Sequence, residues 1–299
     1  MGWRSLFISS PARLSVKLSQ LVIKQEAEVT IPLEDIGAVV IETQQVTISA
    51  AALSAIADAD IATFICDQKH LPCSIILPFQ KHSRQWKIMK AQLAMSKPFA
   101  KQCWKRIVEQ KITNQAYCLD YLQREGGDYL RTIVKDVKSG DTTNREAYAA
   151  RVYFQSLLTT FRRKDDNVTT AAMNYGYAIF RGMIARILAS YGFIPAMGIH
   201  HRNELNNFNL ADDFIEVSRP LVDLWVASNV SPEATELSRN DRISLLSLLN
   251  HDMCINQNHQ SVIRCMEEMV ASFSTACHQN NVSCLKLPSL LPLSIHKYE

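Results

Sequence analysis

No C-x-x-C pair occurs among the eight cysteines of this chain, which stand at positions 66, 73, 103, 118, 254, 265, 277 and 284. Neither a zinc ribbon nor a disulfide framework is suggested, and reduced thiols in a cytoplasm fit best. No stretch reaches the roughly 18 apolar residues of a membrane span. The opening Met1-Gly-Trp-Arg-Ser-Leu-Phe-Ile-Ser-Ser10 has no basic region ahead of a sustained apolar run, so export and membrane attachment are not expected. Internal repeats and low-complexity tracts are missing as well. What remains is a 299-residue chain with 47% hydrophobic and 20% charged residues, ordinary for a globular protein and long enough for two modest domains.

Up to Phe79 the pattern is short and strand-like. Leu6-Phe-Ile8, Leu14-Ser-Val-Lys-Leu18, Leu21-Val-Ile23, Val29-Thr-Ile31 and Ile36-Gly-Ala-Val-Val-Ile41 are β-branched or alternating runs between polar residues. Ser49 to Ala59 reads as one Ala-rich helix, followed by apolar runs at Ile61 to Cys66 and Cys73 to Leu77. From Gln80 onward apolar residues recur every three or four and glycines become sparse, so everything beyond reads as helical, with an irregular tail after Leu287. The expected class is α+β: residues 1–79 a small β-domain with one helix, residues 80–299 a larger all-α domain.

Net charge is only +3, but its distribution is uneven. Between Lys81 and Lys111 there are nine Lys/Arg residues and a single acid, Glu109. Lys87, Lys90, Lys97 and Lys101, with Lys105 and Arg106, can line helical faces, each able to neutralise a phosphate, and Trp86 and Trp104 sit among them. Duplex DNA is the partner that this strip suggests, although charge runs are commonly just solvated faces.

The acids gather elsewhere. Gly198 to Pro220 holds His200, His201, Asp212, Asp213 and Glu216, and a helix starting near Leu210 puts Asp212, Asp213 and Glu216 on one face. That repulsion needs a cation nearby, unless the carboxylates are simply solvated. On the same ground, removing Glu216 is expected to leave metal-free stability equal or slightly higher. Thr143-Asn-Arg-Glu146 leaves two readings open: a capping box in which Glu146 closes its own helix start, or a carboxylate available to a ligand.

The segments Asn144-Arg-Glu-Ala-Tyr-Ala-Ala-Arg-Val-Tyr-Phe154, Asn174-Tyr-Gly-Tyr177, Gly198-x-x-His201 and Asn209-Leu-Ala-Asp-Asp-Phe-Ile-Glu-Val-Ser-Arg-Pro220 occur in order. Together they resemble the CRISPR-associated protein one family, and Met1-Gly-Trp-Arg4 resembles its branch found with the large RNA-guided nuclease. The resemblance implies an N-terminal β-sandwich-like domain for dimerisation and partner contacts, and a helical catalytic domain that inserts short DNA fragments into a repeat array. It places metal ligands at Glu146, His201 and Glu216, with Asp213 as a further acid, and it implies a cytoplasmic homodimer bridged by CRISPR-associated protein two, with other adaptation proteins of the same system as further partners. Asn174 and Arg219 are expected to support these ligands. Glu146-Ala147 and Glu216-Val-Ser-Arg-Pro220 depart from the family's usual Glu-Gly and Glu-Pro-Phe-Arg-Pro.

Two carboxylates and one imidazole suit Mn²⁺, or Mg²⁺ with waters, because hard oxygen donors dominate. Such an ion polarises a phosphodiester and activates a hydroxyl, the 3′-OH of a fragment in integration or water in hydrolysis. A plain metal-dependent nuclease and a non-catalytic DNA-binding scaffold stand as rivals.

Overall fold

In the computed structural model the described residues are 2–77, 84–158, 167–231 and 233–298. The chain divides into two compact units, Met1–Lys81 with Lys297–Glu299, and His82–His296. The boundary expected between Phe79 and Gln80 lies outside the described residues. Among the described residues no helix is long and apolar enough to cross a membrane.

The first unit is built from β1 (Arg4–Ile8), β2 (Ala12–Lys17), β3 (Gln20–Lys24), β4 (Glu28–Pro32), β5 (Ile36–Ile41), β6 (Val46–Ile48), α1 (Ala50–Asp58), β7 (Ala62–Cys66) and β8 (Pro72–Ile76). They form two four-stranded sheets, β1-β5-β7-β8 and β4-β3-β2-β6. β5 is parallel to both β1 and β7, and its near-continuous apolar run is buried along most of its length, as a central parallel strand requires. Leu14, Leu21, Ile31, Val39, Ile41 and Ile56 from both sheets and α1 close one hydrophobic core.

The second unit begins with α2 (Gln85–Leu93), α3 (Lys97–Tyr121), α4 (Gly127–Lys135), α5 (Arg145–Leu157) and α6 (Val168–Ser190). It continues through α7 (Asn209–Ile215), α8 (Arg219–Asn229), α9 (Arg239–Ser247), β9 (His251–Ile255), β10 (Asn258–Ser261), α10 (Val262–Gln279) and β11 (Ser289–Ile295). The 25-residue α3 is its spine, started by the Ser96 hydroxyl accepting from Phe99 N and packed against α4, α5, α7, α8 and β11. α6 and α8 cross closely at Gly176, where a β-carbon would lie 2.5 Å from Val222 Cγ1.

The all-α expectation for 80–299 is corrected here, because β10-β9-β11 form a three-stranded antiparallel sheet in this unit. β9 buries alternate residues over only five positions, too short a run to separate from helical spacing. The β9–β10 turn places Asn256 and Gln257 at positive φ, and a glutamine there hides the usual Asn-Gly hairpin signal. The tail expected to be irregular is β11, an edge strand whose register shift between Leu290 and Ile295 accommodates Pro292. Gly126 at φ 108° is the N-terminal cap position of α4, so the Gly126-Gly127 pair opens a helix.

Candidate functional site

One face of α3 forms the floor of the site. Trp104, Lys111 and Asn114 recur at helical spacing and all three are buried. Asn114 donates from Nδ2 to the carbonyl oxygens of Val217 (2.7 Å) and Pro288 (3.0 Å), and its Oδ1 accepts from Leu290 N (3.0 Å). The turn between α7 and α8, which carries Glu216, is thereby clamped onto α3.

Lys111 resolves the question of the missing cation. It closes the basic strip that begins at Lys81, yet it is only 6% exposed. Its Nζ donates to Glu146 Oε1 and lies 2.5 Å from Glu216 Oε2, so one ammonium stands between carboxylates from α5 and from the α7–α8 turn. On its other side Glu216 Oε1 accepts from Arg219 Nε at 2.9 Å. Burial alone would push the Glu216 carboxyl up, but Lys111 first and Arg219 second pull it down to about 2. Lys111 is in turn raised: burial disfavours its charge, and Glu216 and Glu146 outweigh that. Glu216 Oε2 makes this ion-pair contact without a hydrogen bond of proper geometry, leaving a buried oxygen with unused acceptor capacity.

The capping-box reading of Glu146 does not hold. The residue at the cap position, Asn144, is left-handed (φ 52°) and makes no side-chain cap. Asp141 does the capping, its two oxygens accepting from Arg145 N (2.8 Å) and Glu146 N (3.0 Å). That leaves the Glu146 carboxylate for Lys111.

His201 is held by Asp213 rather than beside it as a parallel ligand. Asp213 is wholly buried (0% exposed), and its carboxylate accepts from Ile199 N (2.5 Å), His200 N (3.1 Å) and His201 N (3.0 Å) and meets His201 Nδ1 at 2.8 Å. Since a carboxylate only accepts, neutral His201 carries its proton on Nδ1 and presents Nε2 as the free donor atom. The hydrogen bond to Asp213 raises the pKa of His201 against the effect of burial, with Glu216 contributing. Gly198 makes the wrap possible, because a β-carbon there would lie 2.3 Å from His201 O and 2.8 Å from Asp213 Oδ2. His200 lies flat on the Trp104 indole at 4.2 Å, perpendicular to His201, which opposes any shared ion for the two rings.

Asp213→Asn is expected to lower the titration midpoint of His201, measurable by histidine NMR, and to reduce any metal-dependent activity by roughly 10–100-fold. An unchanged His201 midpoint would contradict this account of Asp213.

Asp212, the third acid of the α7 face, is engaged apart from the others by Arg181 Nε (2.6 Å) and Asn206 Nδ2 (2.6 Å). Arg219 stacks 4.4 Å over the Tyr177 ring, and the Tyr177 and Tyr153 hydroxyls both donate to buried Asp223. Asn174, Arg181, His201 and Arg219 line a pocket of about 410 Å³ with Asp212 in its wall.

Of the basic strip, Lys87, Lys90, Lys97 and Lys101 are exposed. Lys105 lies 3.5 Å from Glu109, and Arg106 donates to Val282 O at 2.8 Å, so it anchors the C-terminal segment. Trp86 is 68% exposed whereas Trp104 is core, and Lys81 lies outside the described residues. The structure thus joins Glu146 to Glu216 and His201 to Asp213. Among the described residues no group of three His, Cys, Asp or Glu side chains is placed to hold a metal ion. The donor chemistry nonetheless fits one: two carboxylates already converge on a cation, Glu216 Oε2 has spare acceptor capacity, and His201 Nε2 is freed by its carboxylate partner. Sequence reading missed Lys111, Asn114 and Asp141 as parts of this arrangement. The only sequence signal for Lys111 was its place on the apolar face of α3.

The fold, a strand-rich first unit and a larger helical second unit, is shared with known proteins. The model for "CRISPR associated protein Cas1" matches residues 6–240. The chain is 44% identical over 304 residues to the CRISPR-associated endonuclease Cas1 of Neisseria meningitidis serogroup C (strain 8013), covering 100% of both. It is 31% identical to CRISPR-associated endonuclease Cas1 2 of Saccharolobus solfataricus, covering 86% of this chain and 87% of that one. Solved structures share the fold: a casposase bound to integration product (TM-score 0.75, 18% identity, 93% and 91% covered) and the Cas1 protein TM1797 from Thermotoga maritima (TM-score 0.74, 14% identity, 92% and 97% covered). A Cas6-RT-Cas1–Cas2 complex matches with a TM-score of 0.71 at 19% identity over 97% of this chain and 36% of that chain. The chain belongs to the Cas1 family of CRISPR-associated proteins.

Proposed function

We propose that this protein is a divalent-metal-dependent DNA integrase and endonuclease that joins short DNA fragments into a CRISPR repeat array by 3′-OH attack on a phosphodiester. The observation that carries the proposal is the convergence of Glu146 and Glu216, 70 residues apart, on one buried cation. Full-length similarity to a protein named an endonuclease supports it, as does the shared fold with a casposase bound to integration product. Glu146, Glu216 and His201 Nε2 would hold Mg²⁺ or Mn²⁺, which when bound polarises the phosphodiester and activates the attacking hydroxyl. Asp213 fixes the His201 ring, Arg219 fixes the outer oxygen of Glu216, and Asn174 and Arg181 face the adjoining pocket, where they can bind a phosphate or sugar. A nuclease without strand transfer is the alternative.

The partners that fit this reading are duplex DNA, a second copy of the chain and a bridging Cas2-type dimer, with the β-unit (residues 1–79) making protein contacts and residues 80–299 the chemistry. A cytoplasmic location follows from the same reading. The test is a joining assay on the purified chain with its bridging partner: chelation should abolish product, and Mn²⁺ or Mg²⁺ should restore it. Product formed in excess chelator would defeat the proposal.

Exposed Lys87, Lys90, Lys97 and Lys101 have a separable role. Changing all four to Ala should weaken binding to duplexes of any sequence and shrink the slope of log affinity against log salt by roughly 3–4. An unaltered slope assigns these lysines to solvent or to a protein partner.

A further inference from the structure

We propose that Lys111 is the resident counter-ion of the acidic pair: it holds Glu146 and Glu216 together in the metal-free protein and gives up its place when a divalent cation enters. The proposal rests on the metal reading of these two glutamates.

The geometry argues for displacement rather than coexistence. Glu146 Oε1 and Glu216 Oε2 both face the Lys111 ammonium, so an ion that took either oxygen would sit beside a positive charge in a buried setting, where repulsion is poorly screened. The two cations on Glu216 differ in their freedom to leave. Arg219 is a planar fork bonded to Oε1 and stacked on Tyr177. Lys111 is a point charge on a flexible four-carbon stem rooted in the rigid α3, so it can swing while its backbone stays fixed. Metal entry therefore exchanges Lys111 for the ion and keeps Arg219.

Two consequences follow. Without metal, two partly or fully buried carboxylates would repel one another, and Lys111 removes that repulsion, so the site is pre-assembled at the cost of competing with the ion. Metal affinity is accordingly set lower than the donors alone would give. A buried lysine with only a packing role would do neither.

The test uses the full-length chain and Mn²⁺, with free ion read by electron paramagnetic resonance. Lys111→Met keeps the length and removes the charge; it should bind Mn²⁺ roughly tenfold tighter than wild type while melting at lower temperature in chelator. Unchanged or weaker Mn²⁺ binding by a folded Lys111→Met overturns the proposal. Glu216→Gln is the control for the underlying reading. If it weakens Mn²⁺ binding while Lys111→Met fails to tighten it, only the Lys111 proposal falls; if it leaves Mn²⁺ binding untouched, the metal site itself falls and the proposal with it. Should Lys111→Met not fold, the wild type supplies the second measurement. Saturating Mg²⁺ should increase acetylation of Lys111 by acetic anhydride severalfold relative to exposed Lys101, read by peptide mass spectrometry, and no increase overturns the proposal.

Discussion

Glu216→Ala is expected to abolish strand joining and to destabilise the metal-free protein by roughly 3–5 kcal/mol, the usual cost of removing one partner from a buried ion pair. The sign is opposite to the one that acidic repulsion along α7 alone would give. Glu216 is 7% exposed and sits between Lys111 and Arg219, so its removal leaves two largely buried cations short of a counter-charge. Urea unfolding in chelator measures the effect, and a midpoint equal to or above wild type would return Glu216 to a purely catalytic role. Glu216→Gln should fall between, since its amide oxygen still accepts from Arg219 while the charge is gone.

The same pair fixes a pH signature. In the folded protein the Glu216 carboxyl lies at about 2 against an ordinary 4.5. A depressed folded value means that its stabilisation is fully present above 4.5 and is lost as pH falls from there toward about 2. Lys111, raised above 10.5, acts in the opposite sense: its contribution is present at and below 10.5 and is lost as pH climbs through the raised value. Comparing acid unfolding of wild type and Glu216→Ala isolates the first of these, because the variant should lack that portion of the acid slope.

The second large effect separates integration from hydrolysis. A fragment ending in a dideoxynucleotide should bind about as well as a normal one and yield no joined product. The reason lies in the nucleophile: when the fragment's 3′-OH attacks, one phosphodiester is exchanged for another, and a branched DNA longer than either substrate strand forms. Water cannot make that product. A hydrolase would cut the target strand whether or not the fragment carries a 3′-OH. The assay is run with Mg²⁺ or Mn²⁺ and with the bridging partner, so that the geometry a second protein would set in the proposed reaction is present. Joining that survives the dideoxy end, or cutting with no joining when every component is present, would overturn the integrase reading in favour of another chemistry.

Much of the architecture was written in local pattern. Alternation and β-branching marked β1 to β5, and recurrence every three or four residues marked α3, α5, α6 and α10, because side-chain spacing on strands and helices is a property of the backbone alone. Glu146, His201 and Glu216 could be singled out by residue type and by motif resemblance. Their environments could not. Thr143-x-x-Glu146 satisfied a capping pattern that the chain does not use, since Asp141 takes the Arg145 and Glu146 amides from a turn with positive φ. Asp213 could be named as a further acid of the site, but not as the holder of His201, a role created when the 198–201 loop wraps it with three backbone N–H groups.

The amino-acid sequence by itself determined the order of β-rich and helix-rich parts, the carboxylates and histidine that stand as candidate ligands, and the family to which the motifs belong. Tertiary structure alone decided how the acids are neutralised. Lys111 belongs by sequence to a basic strip of nine, and only its position on the inward face of α3 separates it from the solvated lysines around it. A charge's role depends on what surrounds it in space, and burial turns a 2.5 Å contact that water would screen into one that sets the electrostatics of the site.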